Sequence, residues 1–400
     1  MTYPFNVVCR TCMAVFFTFA AGIAEPSYLY VLRAEATGNQ ILGFEVNEQT
    51  GVLTSLSGFP VATGGDHDVG VYREMLFYSE AHGRLFALNS ASDTVSVFAV
   101  DPNTGGLSAL SYSPISVAGG GSWRCLAVHP SGSPLVVGNA GYSTVASYAL
   151  TNSTATAAAG SPYDSGTYSY SIVFSHDGQY LYAGSAHTGT LAGFQVNPAT
   201  GVLSALAGSP FDTGWVDPGG GDPTSQGFAV DSSGRLFMIF FDPTDLRAFT
   251  TSSGIPTGVS GNPFSSGLTG GSDGLLHPEG FYMVADMSGG RVGVYRVGGS
   301  GSGTTLSAVS GSPFTTGGSS PRMLAFDEAA GLLFVSNESS RNITTFRVDA
   351  TTGGLTSLSL QSVDSLGTTG AICGLAHVTP LIFADGFEAG NTGAWSSATP

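Results

Sequence analysis

Two arginines and one glutamate of this chain have side chains that could together activate water and stabilise an oxyanion. Seven segments of the sequence align with one another, and Glu74, Arg124 and Arg322 occupy the same aligned position in three of them. A guanidinium group donates paired hydrogen bonds to a carboxylate or a polarised carbonyl oxygen. The arginines could therefore stabilise an oxyanion while the glutamate activates water. Alternatively, the same residues form an ion pair with a purely structural role at the entrance of the central channel that the repeats enclose. The sequence favours this alternative.

Further polar and aromatic residues are candidates for contacting a ligand. They are Tyr170 and Gln226 at the same aligned position, Trp123 beside it, and His67 in the loop 64–70. The loops also carry oxygen donors for a hard cation, namely Asp66, Asp68, Asp217, Asp222 and Asp273. Gly-Asp loops are ordinary turns, however, and no histidine pair has the spacing of zinc ligands. We expect neither a metal ion nor a cofactor.

The aligned positions recur because the chain repeats one strand pattern seven times. An apolar triplet, such as Tyr180-Leu181-Tyr182, returns with a mean spacing of about 51 residues. Most copies are followed by an alternating segment of the kind found in half-buried strands, such as 94–98. Segments such as AGSPFDTG at 207–214 also recur, and their proline belongs at a sheet edge or strand end. Each repeat therefore predicts strands a to d of one β-propeller blade.

The two ends of the chain predict a single shared blade. Tyr28 begins at strand b, so the first repeat lacks strand a, while 371–377 is a spare strand that aligns with 124–129. We therefore predict an all-β, seven-bladed β-propeller over 25–380, closed by its C-terminal strand, which removes exposed sheet edges. The aligned strand-a positions form a ring at the channel mouth: Ile372, Glu74, Arg124, Tyr170, Gln226, Ser272 and Arg322.

Composition and charge exclude several classes of partner. Glycine accounts for 58 of 400 residues, and charged residues for only 10%. The 12 basic residues are all arginine, and with 28 acidic residues the formal net charge is −16. Such a surface repels phosphate backbones and anionic lipid, so we expect neither a nucleic-acid partner nor membrane adhesion. We expect a monomer that binds a small molecule or an envelope partner at the channel mouth.

The N-terminal 24 residues have the pattern of an export signal. Arg10 precedes a 12-residue apolar stretch, 13–24, and Gly22 and Ala24 supply small residues before a cleavage site. Twelve residues are too few to span a bilayer core of roughly 30 Å. We therefore predict a signal peptide over 1–24, a secreted, periplasmic or cell-envelope location, and a separate tail over 381–400. The repeat register separates Cys125 and Cys373 by a blade, so we expect two buried thiols rather than a disulfide.

Two long segments carry a resemblance to a known family. They are RMLAFDEAAGLLFVSNESSRNITTFRVDATTGGLTSL at 322–358 and YSIVFSHDGQYLYAGSAHTGTLAGFQVNPATGVLSALAGSPF at 170–211. These units resemble the YVTN-type repeats of the lactonase-family seven-bladed propellers, which include 6-phosphogluconolactonase and carboxymuconate-cyclising enzymes. The resemblance covers roughly 25–380. It implies the propeller fold, and for the enzymes of the family it implies that His and Arg residues of the channel act on a lactone.

This chain departs from that implied site. Blade 4 has Tyr168-Ser169-Tyr170-Ser171 where the resemblance implies a His-rich segment. A phosphorylated sugar lactone is also a poor match for an exported protein with so few cations. We therefore predict a non-catalytic propeller that binds a ligand or partner through its upper face. The alternative is a lactonase-like hydrolase that acts on a neutral or carboxylated lactone.

Overall fold

A computed structural model describes residues 26–34, 38–67, 75–185, 187–216, 224–242, 244–363 and 371–379. The predicted signal peptide 1–24 and the tail 381–400 lie outside the described residues, so both stay predictions. Within the described chain, no helix has the length and apolar character needed to cross a membrane.

The described strands form seven antiparallel sheets, which are the blades of the propeller. Blade 1 contains β1 (Tyr28–Ala34), β2 (Gln40–Val46), β3 (Leu53–Ser55), β4 (Val61–Ala62) and, from the other end of the chain, β34 (Ala371–Val378). Blade 2 contains β5 (Leu76–Ser79), β6 (Arg84–Asn89), β7 (Thr94–Val100), β8 (Leu107–Ala109) and β9 (Ile115–Ser116). Blade 3 contains β10 (Trp123–Val128), β11 (Leu135–Asn139), β12 (Thr144–Leu150), β13 (Ala155–Ala157) and β14 (Tyr163–Asp164).

The remaining four blades follow the same order. Blade 4 contains β15 (Ser169–Phe174), β16 (Tyr180–Ser185), β17 (Thr190–Val196), β18 (Leu203–Ala205) and β19 (Phe211–Asp212). Blade 5 contains β20 (Ser225–Val230), β21 (Arg235–Phe240), β22 (Asp245–Ser252), β23 (Ile255–Gly258) and β24 (Phe264–Ser265). Blade 6 contains β25 (Gly271–His277), β26 (Phe281–Asp286), β27 (Arg291–Gly298), β28 (Thr305–Ala308) and β29 (Phe314–Thr315). Blade 7 contains β30 (Pro321–Asp327), β31 (Leu332–Asn337), β32 (Asn342–Val348) and β33 (Leu355–Ser362). Two short 3₁₀ turns span Glu80–His82 and Gly301–Gly303.

In blades 1 to 6 the outer strand is split into two short pieces that both pair with strand c. The recurrent proline stands directly before the second piece, as Pro210 does before β19. In blades 2 to 6 the side chain before that proline accepts a hydrogen bond from strand c, as Ser209 Oγ does from the Gly193 amide at 3.0 Å. The prolines therefore lie at the outer edge of the sheet, where the missing amide donor leaves no gap in the ladder.

The ring closes as the sequence predicted. Strand β34 pairs antiparallel with β1, with Tyr28 opposite Val378 and Leu29 opposite His377. The last strand of the chain thus supplies strand a of the first blade. The register corrects the alignment of 371–377 with 124–129. His377 lies opposite Leu29 in blade 1, as Val128 lies opposite Leu135 in blade 3. His377 is therefore equivalent to Val128 and not to the next residue, His129.

Three polar side chains join the chain ends to blade 7. The Ser27 hydroxyl donates to Asp327 Oδ2 at 3.0 Å and lies 2.7 Å from His377 Nε2. His377 Nε2 is itself 3.1 Å from Asp327 Oδ2. Burial acts to raise the pKa of Asp327, but the hydrogen bond and charge of His377, together with the Ala330 amide, hold that pKa below its usual range. We call this group the closure cluster.

Apolar side chains fill the spaces between neighbouring blades. One cluster joins blades 1 and 7, and others join blades 3 and 4, 4 and 5, 5 and 6, and 6 and 7. Large aromatic rings such as Tyr182 and Phe237 are fully buried there. Cys125 and Cys373 are buried thiols that are not joined in a disulfide, as predicted. Burial raises the pKa of the Cys373 thiol.

Candidate active site at the channel mouth

In several blades the pairing of strand a with strand b is irregular near the start of strand a, at the predicted channel mouth. In blade 3, Trp123 pairs with Asn139 and Cys125 with the adjacent Gly138, so Arg124 is an extra residue inserted between the two pairs. The same shift leaves Tyr170, Ser272 and Arg322 as the extra residue in blades 4, 6 and 7. Such a β-bulge bends the strand and changes the direction of its side chain. The bulge therefore sets these four predicted ring residues apart from the regular ladder.

Blades 1 and 5 differ in detail, and the corresponding residues of blade 2 lie outside the described part of the chain. In blade 1 the extra residue is Cys373, because Leu32 pairs with Gly374 and Arg33 with Ile372. The sequence alignment, which placed Ile372 on the ring, was wrong by one residue. In blade 5 the irregularity follows Gln226, which is almost fully buried. Glu74 lies outside the described residues, so its role as a base stays a prediction.

The two mouth arginines have different surroundings. Arg124 is 8% exposed and belongs to the innermost strand of blade 3. Arg322 Nε donates to Glu338 Oε2 across blade 7, and both side chains are mostly buried. Glu338 directly follows strand b of that blade, and its amide donates to the Ser320 carbonyl at 2.9 Å. The sequence analysis missed Glu338, although its place directly after strand b in blade 7 was readable from the repeat.

The residues that were predicted to contact a ligand differ in how far they are buried. The His67 side chain is buried, and its Nδ1 is 2.8 Å from the Ser90 hydroxyl in the next blade. Tyr170 is partly exposed and lies edge-on to His187, with ring centroids 6.3 Å apart. Trp123 is completely buried in the apolar cluster of blades 1 to 3. Its Nε1 has no hydrogen-bond partner within the described part of the chain. Ligand contact by each of these residues stays a prediction.

Asparagine and aspartate side chains at the end of strand b hold the loops of the mouth in place. Asn139 Nδ2 donates to the Gly120 carbonyl at 2.7 Å, and its Oδ1 accepts from the Ser122 and Gly141 amides. Asp286 takes the equivalent position in blade 6 and accepts from Thr269 and Gly289. The sequence analysis did not use this position, although an Asn or Asp recurs there: Asn89, Asn139, Asp286 and Asn337. These hydrogen bonds connect the ends of strand b to the loops on the upper face of the propeller, which is the face at the channel mouth.

A cavity of about 360 Å³ lies in the channel and is lined by strand a of every blade. Apolar side chains dominate the wall, among them Leu76, Leu126 and Phe228. Asp273 is the exception. Its two carboxylate oxygens accept from the Gly274 amide and from the Leu324 amide of blade 7, each at 2.8 Å. Burial raises the pKa of Asp273 to about 7 despite these two bonds.

Of the five aspartates that were weighed as cation donors, only Asp66 and Asp273 are described, and both accept hydrogen bonds from backbone amides. Asp66 Oδ1 accepts from the Gly38 amide at 2.7 Å, and its own amide donates to Ser92. Asp68, Asp217 and Asp222 lie outside the described residues. Among the residues that the structure describes, no three His, Cys, Asp or Glu side chains gather as a metal site would require.

Comparison with models of known protein families shows which family this chain belongs to. The family model of the lactonase seven-bladed β-propeller matches residues 73–213 and 239–367. The chain belongs to this lactonase family. The match spans blades 2 to 7 and includes the strand-a bulges that carry Arg124, Tyr170 and Arg322. A search of curated proteins found no match.

Solved structures share the fold at low sequence identity. A proposed 6-phosphogluconolactonase from Bacteroides fragilis is 20% identical, with a TM-score of 0.70, and the match covers 90% of this chain and 99% of the other. The periplasmic gluconolactonase of Pseudomonas aeruginosa is 18% identical, with a TM-score of 0.67 and coverage of 89% and 100%. A proposed 6-phosphogluconolactonase from Bacteroides uniformis is 18% identical, with a TM-score of 0.70 and coverage of 88% and 99%. At these identities the likeness concerns the fold of this lactonase-family protein.

Proposed function

We propose that this lactonase-family propeller hydrolyses a lactone at its channel mouth. The observation that carries the proposal is the coincidence of the family match with the bulged strands that bear Arg124 and Arg322. The sequence analysis favoured a non-catalytic scaffold and kept hydrolysis as the alternative. Membership of the lactonase family fits that alternative better.

In the proposed reaction, Arg124 donates to the lactone carbonyl oxygen, and Glu74 takes a proton from the attacking water. The new C–O bond gives a tetrahedral oxyanion, whose charge the guanidinium group stabilises more strongly than it does the neutral carbonyl. The ring C–O bond then breaks, the leaving oxygen takes the proton back from Glu74 to become a hydroxyl group, and the new carboxylic acid loses its proton to solvent. Arg322, held by Glu338, orients the substrate.

The proposed substrate is a neutral or carboxylated lactone rather than a phosphorylated one. The chain has no lysine, and its formal net charge is −16. The charge of Arg322 is already partly balanced by Glu338, so little cationic charge is left for a dianionic phosphate. The hydroxy-acid product carries one negative charge more than the lactone, so the same acidic field favours its release.

The test is pH-stat titration of a panel of lactones with purified protein. We expect acid release above the uncatalysed rate, with most of it lost in Arg124→Ala and in Glu74→Gln. Arg235→Ala is the matched control, because Arg235 pairs with Asp231 at the opposite end of blade 5. If the panel is not hydrolysed, or if both mouth variants keep full activity, a non-catalytic scaffold becomes the better description.

We also propose that the protein is exported and acts as a monomer on a small molecule or envelope partner. The apolar stretch 13–24 and its small residues at 22 and 24 support an exported location. The comparison protein from Pseudomonas aeruginosa is described as periplasmic. Cell fractionation, with N-terminal sequencing of the mature protein, tests this proposal. We expect a chain that starts at Glu25, whereas a retained Met1 in the cytoplasm contradicts it.

A further inference from the structure

A group of aromatic rings lies on the upper face of blade 4. It comprises Tyr168, Tyr170 and His187, and we call it the blade 4 patch. Tyr168 is 37% exposed, and its ring centroid is 5.1 Å from that of His187 at an interplanar angle of 69°. Tyr170 lies on the channel side of the patch, 6.3 Å from His187 at an angle of 68°. The patch therefore extends from a predicted mouth residue to the exposed surface.

Local hydrogen bonds hold the backbone at His187 and Thr188. The Ser185 hydroxyl oxygen accepts from the His187 amide at 3.1 Å and from the Thr188 amide at 2.9 Å. On the other side of the turn, Gly189 has a φ of +62°, and a Cβ added there would lie 3.0 Å from Cβ of Trp215. The two amide hydrogen bonds place the backbone of His187 and Thr188 beside Ser185, and groups that are already in position lower the entropic cost of binding.

The chemistry of the patch suits an uncharged ring. Ligand sites combine apolar and aromatic faces with a few polar groups that set orientation. Here the tyrosine and imidazole rings supply the faces, and two phenol hydroxyls and a ring nitrogen supply the polar edges. A pyranose ring has the matching form, with C–H groups on its face and hydroxyls on its edge. The absence of lysine and the acidic net charge select against an anionic ring substituent.

We propose that the blade 4 patch binds a second, uncharged sugar ring of the lactone substrate, so that the preferred substrates are lactones of disaccharide aldonic acids. This inference rests on the proposed lactonase function. The lactone ring lies at the mouth, beside Tyr170, and the attached glycosyl ring stacks on Tyr168 and His187. A monosaccharide lactone fills the mouth alone and gains nothing from the outer part of the patch.

The experiment compares D-glucono-δ-lactone with the lactone of lactobionic acid. We expect the wild-type KM for the disaccharide lactone to be lower than that for gluconolactone by about threefold to tenfold. Tyr168→Ala reduces this ratio towards one, whereas Tyr168→Phe, which keeps the ring, preserves it. Tyr142→Ala is the matched control, because Tyr142 is an exposed tyrosine of blade 3 outside the patch. Thermal melts of each variant confirm that it is folded.

Calorimetric titration with lactose, an uncharged disaccharide without a lactone bond, separates the two proposals, because it needs no turnover. Hydrolysis of both lactones without a preference that depends on Tyr168 overturns the patch and leaves the lactonase function intact. Binding of lactose that Tyr168→Ala weakens, without hydrolysis of any lactone, overturns the function and retains the patch as a sugar site. The absence of both binding and hydrolysis overturns both proposals.

Discussion

The two ends of strand a use polar residues in different ways. At the upper end, the bulge takes Arg124, Tyr170 and Arg322 out of the ladder at the channel mouth. At the lower end, His129 Nε2 lies 3.0 Å from the Gly178 carbonyl of the next blade, and Asp327 belongs to the closure cluster. Burial lowers the pKa of His129, as expected of a neutral, internally bonded imidazole. The lower end therefore joins blades together, whereas the upper end is where we place the chemistry.

The largest expected contrast concerns Arg124. Replacing Arg124 with alanine should reduce kcat/KM for a hydrolysed lactone by about 10²- to 10³-fold, as expected for the loss of one oxyanion donor. The fold should stay intact, because the backbone pairs on either side of the bulge, Trp123 with Asn139 and Cys125 with Gly138, do not depend on the Arg124 side chain. Steady-state kinetics and a thermal melt on the same sample measure both effects. A large loss of stability with unchanged kcat/KM would place Arg124 with the structural residues instead.

For Asp327 we expect the opposite result, namely a large loss of stability with little change in kcat/KM. Asp327→Ala leaves His377 and Ser27 without their buried acceptor and should lower the free energy of unfolding by about 3 kcal/mol. The folded pKa of Asp327 is lowered, so its contribution is present above the unfolded value of about 4 and is lost as the pH falls through the folded value. Urea denaturation at pH 7 and at pH 3 should therefore show a difference from wild type that shrinks in acid.

For Asp327→Ala, kcat/KM per folded molecule should stay at the wild-type level, because the closure cluster lies at the lower end. His82 is a suitable control position, since its pKa is lowered by burial but it lies outside the closure cluster in blade 2. His82→Ala should cost less stability than Asp327→Ala. If Asp327→Ala removed activity while stability was retained, the assignment of the two ends would be reversed.

A smaller effect is expected where Glu338 holds Arg322. Glu338→Gln keeps the shape of the side chain but removes its charge, so the ion pair at the mouth becomes a hydrogen bond from a charged guanidinium to a neutral amide oxygen. We expect kcat/KM to fall about tenfold, mainly through KM, because a less constrained guanidinium binds substrate less well. Kinetics with a carboxylated and a neutral lactone provide the measurement. An effect on kcat alone would instead indicate that Glu338 acts as a proton acceptor.

The sequence predicted the blade number and the closure because both depend on local patterns. Alternating residues, turn glycines and the proline segments repeat seven times, and a spare strand remains at the end. It did not predict that Cys373 rather than Ile372 is the bulged residue, because β34 is buried along nearly its whole length and shows no alternation that would fix its register. Glu338 was missed for a different reason. It meets Arg322 only through the register of β30 against β31, which is a tertiary property.

The smallest expected effect concerns Asp273, which lies between the two ends. Its folded pKa of about 7 is above the unfolded value, so its contribution to stability is complete below about pH 4 and is lost as the pH rises through 7. Asp273→Asn removes this titration. Between pH 5.5 and 8, the Tm of the wild type should fall relative to that of the variant by a few degrees. Differential scanning calorimetry across this range measures the difference. Parallel Tm curves would mean that Asp273 stays charged when folded, as the two amide donors of blades 6 and 7 would favour if water reached the carboxylate from the channel.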